Sequence, residues 1–240
     1  MSNLLTMSSD EFRDFLSQKT LPELFVDGPV LRALVQMIPA FGPLVDAFLA
    51  LPGTKYKEQR LNHLLLLIYQ SIRAIDDKVL NLEWANTPEF QDMLEIAIES
   101  SVKSRSNEKI IINAMILTNL LAVKNDEGRF RPEEYLRAMA DLTPLEVKVI
   151  KTFFEVEEKN KERDNNQDSL DPRQVIVEKL GIEGDDLTFI LKRVERSGFI
   201  KEAVGAMFGY GGGLYSITPS CRKLMEYLSL HPFAKAINLN

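Results

Sequence analysis

Lys192, Arg193 and Arg196 stand about one turn apart in a segment that reads as a helix, and they are the strongest candidates for chemistry of a binding kind. Cations at that spacing meet phosphates or the edge of a guanine. Groups suited to catalysis are sparse. The two histidines, His63 and His231, have no Cys or His neighbour at metal-ligand spacing. His63 lies beside Leu64 on a long helix, where a bundle or surface histidine is the ordinary reading. Cys221 opens a helix, a place that favours a thiolate, but no histidine stands near it in sequence, so it reads as a packed cysteine. The carboxylate pairs Asp76-Asp77 and Asp185-Asp186 are adjacent and diverge on a helix. Gly209–Gly213 has no GK[ST] ending and opens no helix, which excludes a phosphate loop. No catalytic constellation, metal or cofactor is expected; the chain reads as a binding or regulatory protein.

The frame that must position these residues is bounded by size and composition. A chain of 240 residues holds one large domain or two modest ones. With 45% apolar and 27% charged residues it reads as globular, neither disordered nor a membrane protein. A single cysteine excludes an intramolecular disulfide framework and fits a reducing compartment. Met1–Met7 lacks the basic and apolar regions of a secretory start, and Asp10, Glu11 and Asp14 follow at once. A cytoplasmic protein is expected. The net charge of -6 removes the simplest argument for phosphate binding, although the charge that matters there is local.

In the first part, Ser8-Ser9-Asp10 predicts a cap for a short helix carrying Phe12, Phe15 and Leu16. Val30–Leu51 is the most apolar stretch; Pro39 and Gly42-Pro43 predict two short helices around a bend, stopped by Pro52-Gly53. Arg32, Gln36, Asp46 and the prolines make it a poor spanning segment, so a buried hairpin is expected, with insertion on activation as the alternative. Tyr56–Leu82 predicts a long helix. Its Leu61, Leu65, Ile68, Ile72, Ile75 and Val79 recur at alternating spacings of four and three, which suits a helix packed on its bundle neighbours or the seam of a homodimer. Thr87-Pro88-Glu89 caps the next helix, and Ile110–Val123 is apolar nearly all round, marking a helix central to a bundle. Pro132 opens a short helix to Ala140.

After Ala140 the punctuation changes. Thr143-Pro144-Leu145-Glu146 is a capping box launching Leu145, Val149, Phe153 and Val156. Glu157–Ser169 has no apolar residue and reads as a solvated extension or loop. Asp171-Pro172-Arg173-Gln174 starts a second helix that Gly181 ends, and a third carries Leu187, Ile190, Leu191 and Val194 to Ser197-Gly198. Phe199–Val204 and Leu214–Ile217 read as strands around a tip with five glycines in nine residues, and Thr218-Pro219-Ser220 caps a final helix, Cys221–Leu230.

"DPRQVIVEKLGIEGDDLTFILKRVERSGFI" followed by "YSITPSCRKLMEYL" resembles the winged helix-turn-helix family over about Leu142–Leu230. The resemblance implies a three-helix core with a two-stranded wing. Upstream, "IPAFGPLVDAFL", "TPEFQDMLEIAIESSVKSRSNEKIIINAMILTNLL" and "YLRAMADLTPLEVKVI" resemble uncharacterised bacterial helical-bundle proteins that end in a winged helix. That second resemblance implies the architecture and a bacterial origin, and no activity. The expected fold is therefore mainly α: a helical bundle over 1–140 and a winged helix over 141–240.

In the winged-helix mode the third helix enters the major groove and the wing grips backbone. The exposed positions of that helix would be Asp185, Asp186, Thr188, Phe189, Lys192, Arg193, Glu195 and Arg196. Asp185 and Asp186 would meet polyanionic DNA first, or would cap the helix and complement its dipole. The wing tip Gly205–Tyr210 has no Lys or Arg, and 141–240 carries 14 Lys and Arg against 16 Asp and Glu, so the module is not locally basic. Two readings stay open for Arg173, Thr188, Lys192, Arg193, Arg196, Phe208 and Tyr210: contact with DNA by a regulator, or contact with a protein partner.

Overall fold

The structure, a computed structural model, describes residues 34–35, 38, 41–50, 55–75, 80–81, 83–122, 132–161, 169–202, 214–229, 231 and 234. The described residues are mainly helical, with one two-stranded antiparallel sheet. The chain divides into two compact units, Met1–Ala140 together with Glu226–Asn240, and Asp141–Met225. Glu226–Asn240, expected from the sequence to belong with 141–225, falls in the first unit by this division.

The first unit contains α1 (Phe41–Ala50), α2 (Lys55–Ala74), a single 3₁₀ turn (Trp84–Asn86), α3 (Pro88–Lys103), α4 (Asn107–Ala122) and α5 (Pro132–Asp141). Helices α2, α3 and α4 pack on one another and hold the core. α4 is central as its apolar sequence predicts: every described residue from Lys109 to Leu121 is buried. α3 starts where Thr87-Pro88 predicts, with the Thr87 hydroxyl accepting the Phe90 N–H at 3.4 Å. Trp84 meets Phe90 edge-on at 5.2 Å between ring centroids, fixing the 3₁₀ turn against that helix.

Helix α2 is shorter than its periodicity suggests. It ends at Ala74, and the Ile75 N–H is shared between the Ser71 and Ile72 carbonyls at 3.2 Å each. Asp76 and Asp77 come next in sequence, and carboxylates at a helix C-terminus oppose its dipole. The seam also has an occupant already. Leu61, Leu65, Ile68 and Ile72 are each 2% exposed or less within the single chain, on a helix packed against α3 and α4. Ile75 is half-buried beyond the helix end, and Val79 lies outside the described residues. Burial on this scale leaves the four leucines and isoleucines no surface to offer a second copy.

Buried polar groups tie the elements of this unit together. Asn113 donates to Ser100 and Ser101 at 3.1 and 3.0 Å, and Lys109 donates to the Ala140 carbonyl at the end of α5 at 3.0 Å. Asn119 donates to the Tyr227 carbonyl at 2.8 Å, while Thr118 and His231 meet at 2.9 Å. α1 takes Gly42 and Pro43 into its first turn, where the sequence predicts a bend, since proline is tolerated there. No helix among the described residues is long and apolar enough to cross a membrane. At ten residues, α1 spans about 15 Å against a hydrocarbon core of about 30 Å, and its Val45 is buried. The segments expected at Ser8–Leu16 lie outside the described residues.

The second unit runs α6 (Pro144–Lys161), α7 (Pro172–Leu180), α8 (Gly184–Arg196), β1 (Ile200–Glu202), β2 (Tyr215–Ile217) and into α9 (Pro219–Ser229). The caps expected from sequence close three of these helices. Thr143 and Glu146 form the reciprocal box, with the Glu146 carboxylate accepting the Thr143 N–H at 2.6 Å and the Thr143 hydroxyl accepting the Glu146 N–H at 3.3 Å. Asp171 accepts the Arg173 N–H at 2.9 Å, and Thr218 accepts the Cys221 N–H at 3.1 Å. Gly181 ends α7 in the left-handed region at φ 65°, open only to a residue without a Cβ at little cost. The Asp185-Asp186 pair does not cap α8; both lie inside its first turn, where they complement the dipole.

α6 continues to Lys161, so the first residues of the stretch read from composition as a solvated extension or a loop extend the helix. Glu157 accepts the Ile217 N–H at 2.6 Å, and Glu157 and Glu158 both pair with Arg222 of α9. Asn160 closes the far end by exchanging two hydrogen bonds with Leu170, at 2.8 and 2.9 Å. The strands pair Ile200 with Ile217 and Glu202 with Tyr215. The core beneath them holds Val149, Phe153, Val156, Ile176, Leu187, Leu191, Val194, Phe199 and Cys221.

The two histidines make the fold sensitive to acid. Burial lowers the His63 and His231 imidazoles from 6.5 to about 4. The unfolded chain therefore binds two more protons than the folded one between those values, and stability rises with pH across that window. It is complete above about pH 6.5 and is lost as the pH falls toward 4, by about 3 kcal/mol for each histidine. Urea midpoints measured at pH 7, 5.5 and 4.5, values chosen to bracket about two pH units of this window, should fall steadily. His231→Asn should flatten the fall by about half, and a midpoint independent of pH would refute the assignment.

Candidate binding face on helix α8

The third helix of the second unit is amphipathic in the plain sense. Leu187, Leu191 and Val194 are buried, while Asp185, Asp186, Thr188, Phe189, Lys192, Arg193 and Arg196 are exposed. Seven of the eight positions expected to be exposed are therefore exposed, and Glu195 is half-buried. What the cations do there differs from the expectation, because two of the three are engaged inside the unit.

Lys192 is held by two carboxylates. Its Nζ lies 2.9 Å from Glu195 on the same helix and 2.5 Å from Glu202 at the end of β1, and it stands 5.7 Å from the centre of the Tyr215 ring. The hydrogen bonds it donates to Glu202 and then to Glu195 raise its pKa, so the ammonium is charged and already neutralised locally. Glu195 also accepts the Glu202 N–H at 2.9 Å; that bond, followed by Lys192, lowers its own pKa. This places both ends of the trio in one fixed geometry at the mouth of the sheet.

Arg193 reaches the other way. Its Nε lies 2.5 Å from Glu146, whose side chain is 3% exposed against 43% for Arg193. Glu146 is the glutamate of the α6 capping box, so one carboxylate serves the helix start with one oxygen and Arg193 with the other. The guanidinium carbon also stands 6.0 Å from the centre of the Phe189 ring. Phe189 itself is 64% exposed, which is costly for a large apolar ring.

The remaining candidates are distributed as follows. Arg196 is exposed and has no hydrogen bond or ion pair among the described residues. Thr188 is exposed, its hydroxyl donating back to the Gly184 carbonyl at 3.2 Å. Arg173 is half-buried in the first turn of α7, on a different helix. Phe208 and Tyr210 lie outside the described residues. Sequence reasoning misses Glu146, Glu195 and Glu202 as determinants of this face. Glu146 sits 47 residues before Arg193 in sequence, and its role as a cap gives no sign of a second partner.

Among the described residues no group of three or more His, Cys, Asp or Glu is placed to hold a metal ion. Burial, followed by the charge of Glu157, pushes the Cys221 thiol up to about 12, so it is a packed thiol at neutral pH despite its place at a helix start. The chain matches no protein-family model, no curated protein and no solved structure.

The ion pairs make a separable prediction. Arg193→Ala strands the Glu146 carboxylate in a buried position and should lower stability by about 1–3 kcal/mol in urea unfolding. Lys192→Ala, at a solvated position, should leave the midpoint close to that of the unaltered protein. Equal losses from the two substitutions would show that the Arg193–Glu146 pair has no special role.

Proposed function

We propose that this chain is a non-enzymatic binding protein whose second unit is a winged helix adapted to protein contact in place of DNA. The order of three helices, two antiparallel strands and a closing helix supports the winged-helix part of this reading. A single observation carries the choice of ligand: Lys192 and Arg193, the residues best placed to meet a phosphate or a guanine, are each paired with a carboxylate of the same unit. Moving either to DNA means breaking an ion pair, and for Arg193 it also exposes a buried acid to a polyanion. Asp185 and Asp186 lead the same helix with two further negative charges. An exposed aromatic ring flanked by pinned cations is instead a familiar anchor for protein contact.

The reading is tested by fluorescence anisotropy of the full chain against a labelled duplex from its own upstream region and a scrambled duplex, at about 50 and 200 mM salt. No binding to either duplex at the lower salt is the expected outcome. Sequence-dependent, salt-sensitive binding that weakens in Arg196→Glu would overturn the proposal in favour of a DNA reader. Arg196 is the substitution to use, because Arg193→Glu would damage the fold through Glu146.

A further inference from the structure

The outer face of α8 carries a stripe with a particular symmetry. Asp186, Phe189, Arg193 and Arg196 follow one another at spacings of three, four and three residues, which sets them on one side of the helix. All four are exposed, Phe189 at 64%. The stripe runs from acid through an aromatic ring to two cations. Turned end for end, it reads as its own complement: Asp186 faces Arg196, and Phe189 faces Arg193.

We infer that α8 packs antiparallel against α8 of a second copy of this chain, across a two-fold axis that pairs Asp186 with Arg196 and Phe189 with Arg193 of the opposite molecule. This deepens the protein-contact reading above and rests on it, the partner now being the chain itself. A two-fold contact is isologous, so each pairing occurs twice. The helix dipoles also oppose, bringing each positive end beside the other's negative end. Arg193 is suited to receive the partner's ring, because its pairing with Glu146 holds the guanidinium in place beforehand. Asp186 and Arg196 are the unlike charges of the stripe that have no ion-pair partner among the described residues, so no ion pair among those residues is given up when they meet.

Leu61, Leu65, Ile68 and Ile72 of the seam expected on α2 offer no surface for such a contact, since these four are buried within the chain. The α8 face is small. Thirteen residues span about 20 Å, and a single helix pair buries less than the roughly 1,200 Å² of a standard interface. A weak dimer follows, formed at micromolar concentrations or above.

Sedimentation equilibrium on the full chain, from about 5 to 200 µM at low and high salt, reads this contact directly. Reversible dimerisation weakened by salt is expected. Phe189→Ser, Asp186→Arg and Arg196→Asp should each weaken it about tenfold or more. Each charge variant alone sets like charges in both pairings. An equimolar mixture of Asp186→Arg with Arg196→Asp should dimerise again. In the mixed dimer the two substituted positions meet as unlike charges, and the unaltered Arg196 of one variant meets the unaltered Asp186 of the other. Loss of folding cannot imitate that rescue. A protein monomeric across the whole range, a dimer indifferent to all three substitutions, or a mixture that fails to recover would overturn the two-fold contact. The duplex titration on the same sample separates the two levels: a monomer that ignores DNA removes the second copy and leaves the protein-contact reading, whereas a monomer that binds duplex removes both.

Discussion

The carboxylate of Glu146 is the point on which the second unit turns. It is a buried acid, which water would hold far more cheaply than a helical core does. It is tolerated because both oxygens are engaged, one by the Thr143 N–H at the start of α6 and the other by Arg193 of α8. Through these bonds the helix that opens the unit and the helix that presents its outer face are set at one fixed spacing. The same bonds decide what Arg193 can do, since a guanidinium neutralising a buried acid is not available as a phosphate ligand.

Carboxylates play comparable parts around the small sheet. Glu195 takes the Glu202 N–H of β1 and Glu157 takes the Ile217 N–H of β2, so backbone donors that point away from the paired strand are already occupied. Strand edges left open invite further strand pairing, and these acids close the described part of that route. They also draw in Lys192 and Arg222. A unit with slightly more acids than bases thus pairs Lys192, Arg193 and Arg222 with its own carboxylates, and leaves an exposed aromatic ring on its third helix.

The first unit is built differently. Its core is a set of three helices whose apolar faces meet, threaded by neutral amides and hydroxyls that bond to one another or to backbone carbonyls. The histidines buried there remain uncharged at neutral pH, which ties its acid sensitivity to a known pair of groups.

Much of the local framework was legible in the amino-acid order. Thr87, Thr143, Asp171 and Thr218 each cap the helix they precede, and Gly181 ends one, because capping involves residues within a few positions and its chemistry is local. The centrality of α4 was equally plain from an apolar surface that continues around the helix. Three things needed the tertiary structure. The heptad spacing of α2 could serve a bundle or a dimer equally well, and only burial within one chain shows where its stripe is used. The first residues of the polar run, Glu157 to Lys161, continue the helix, and Arg222 and the Ile217 N–H, some sixty residues away, supply partners there that composition cannot reveal. The three cations of α8 share one outward spacing in the sequence, yet Lys192 is paired with Glu202 of β1 and Arg193 with Glu146 of α6, while Arg196 is left outward. Local order specifies caps and periodicity through short-range bonds; which charges remain available to a partner is set by the long-range contacts that folding alone brings together.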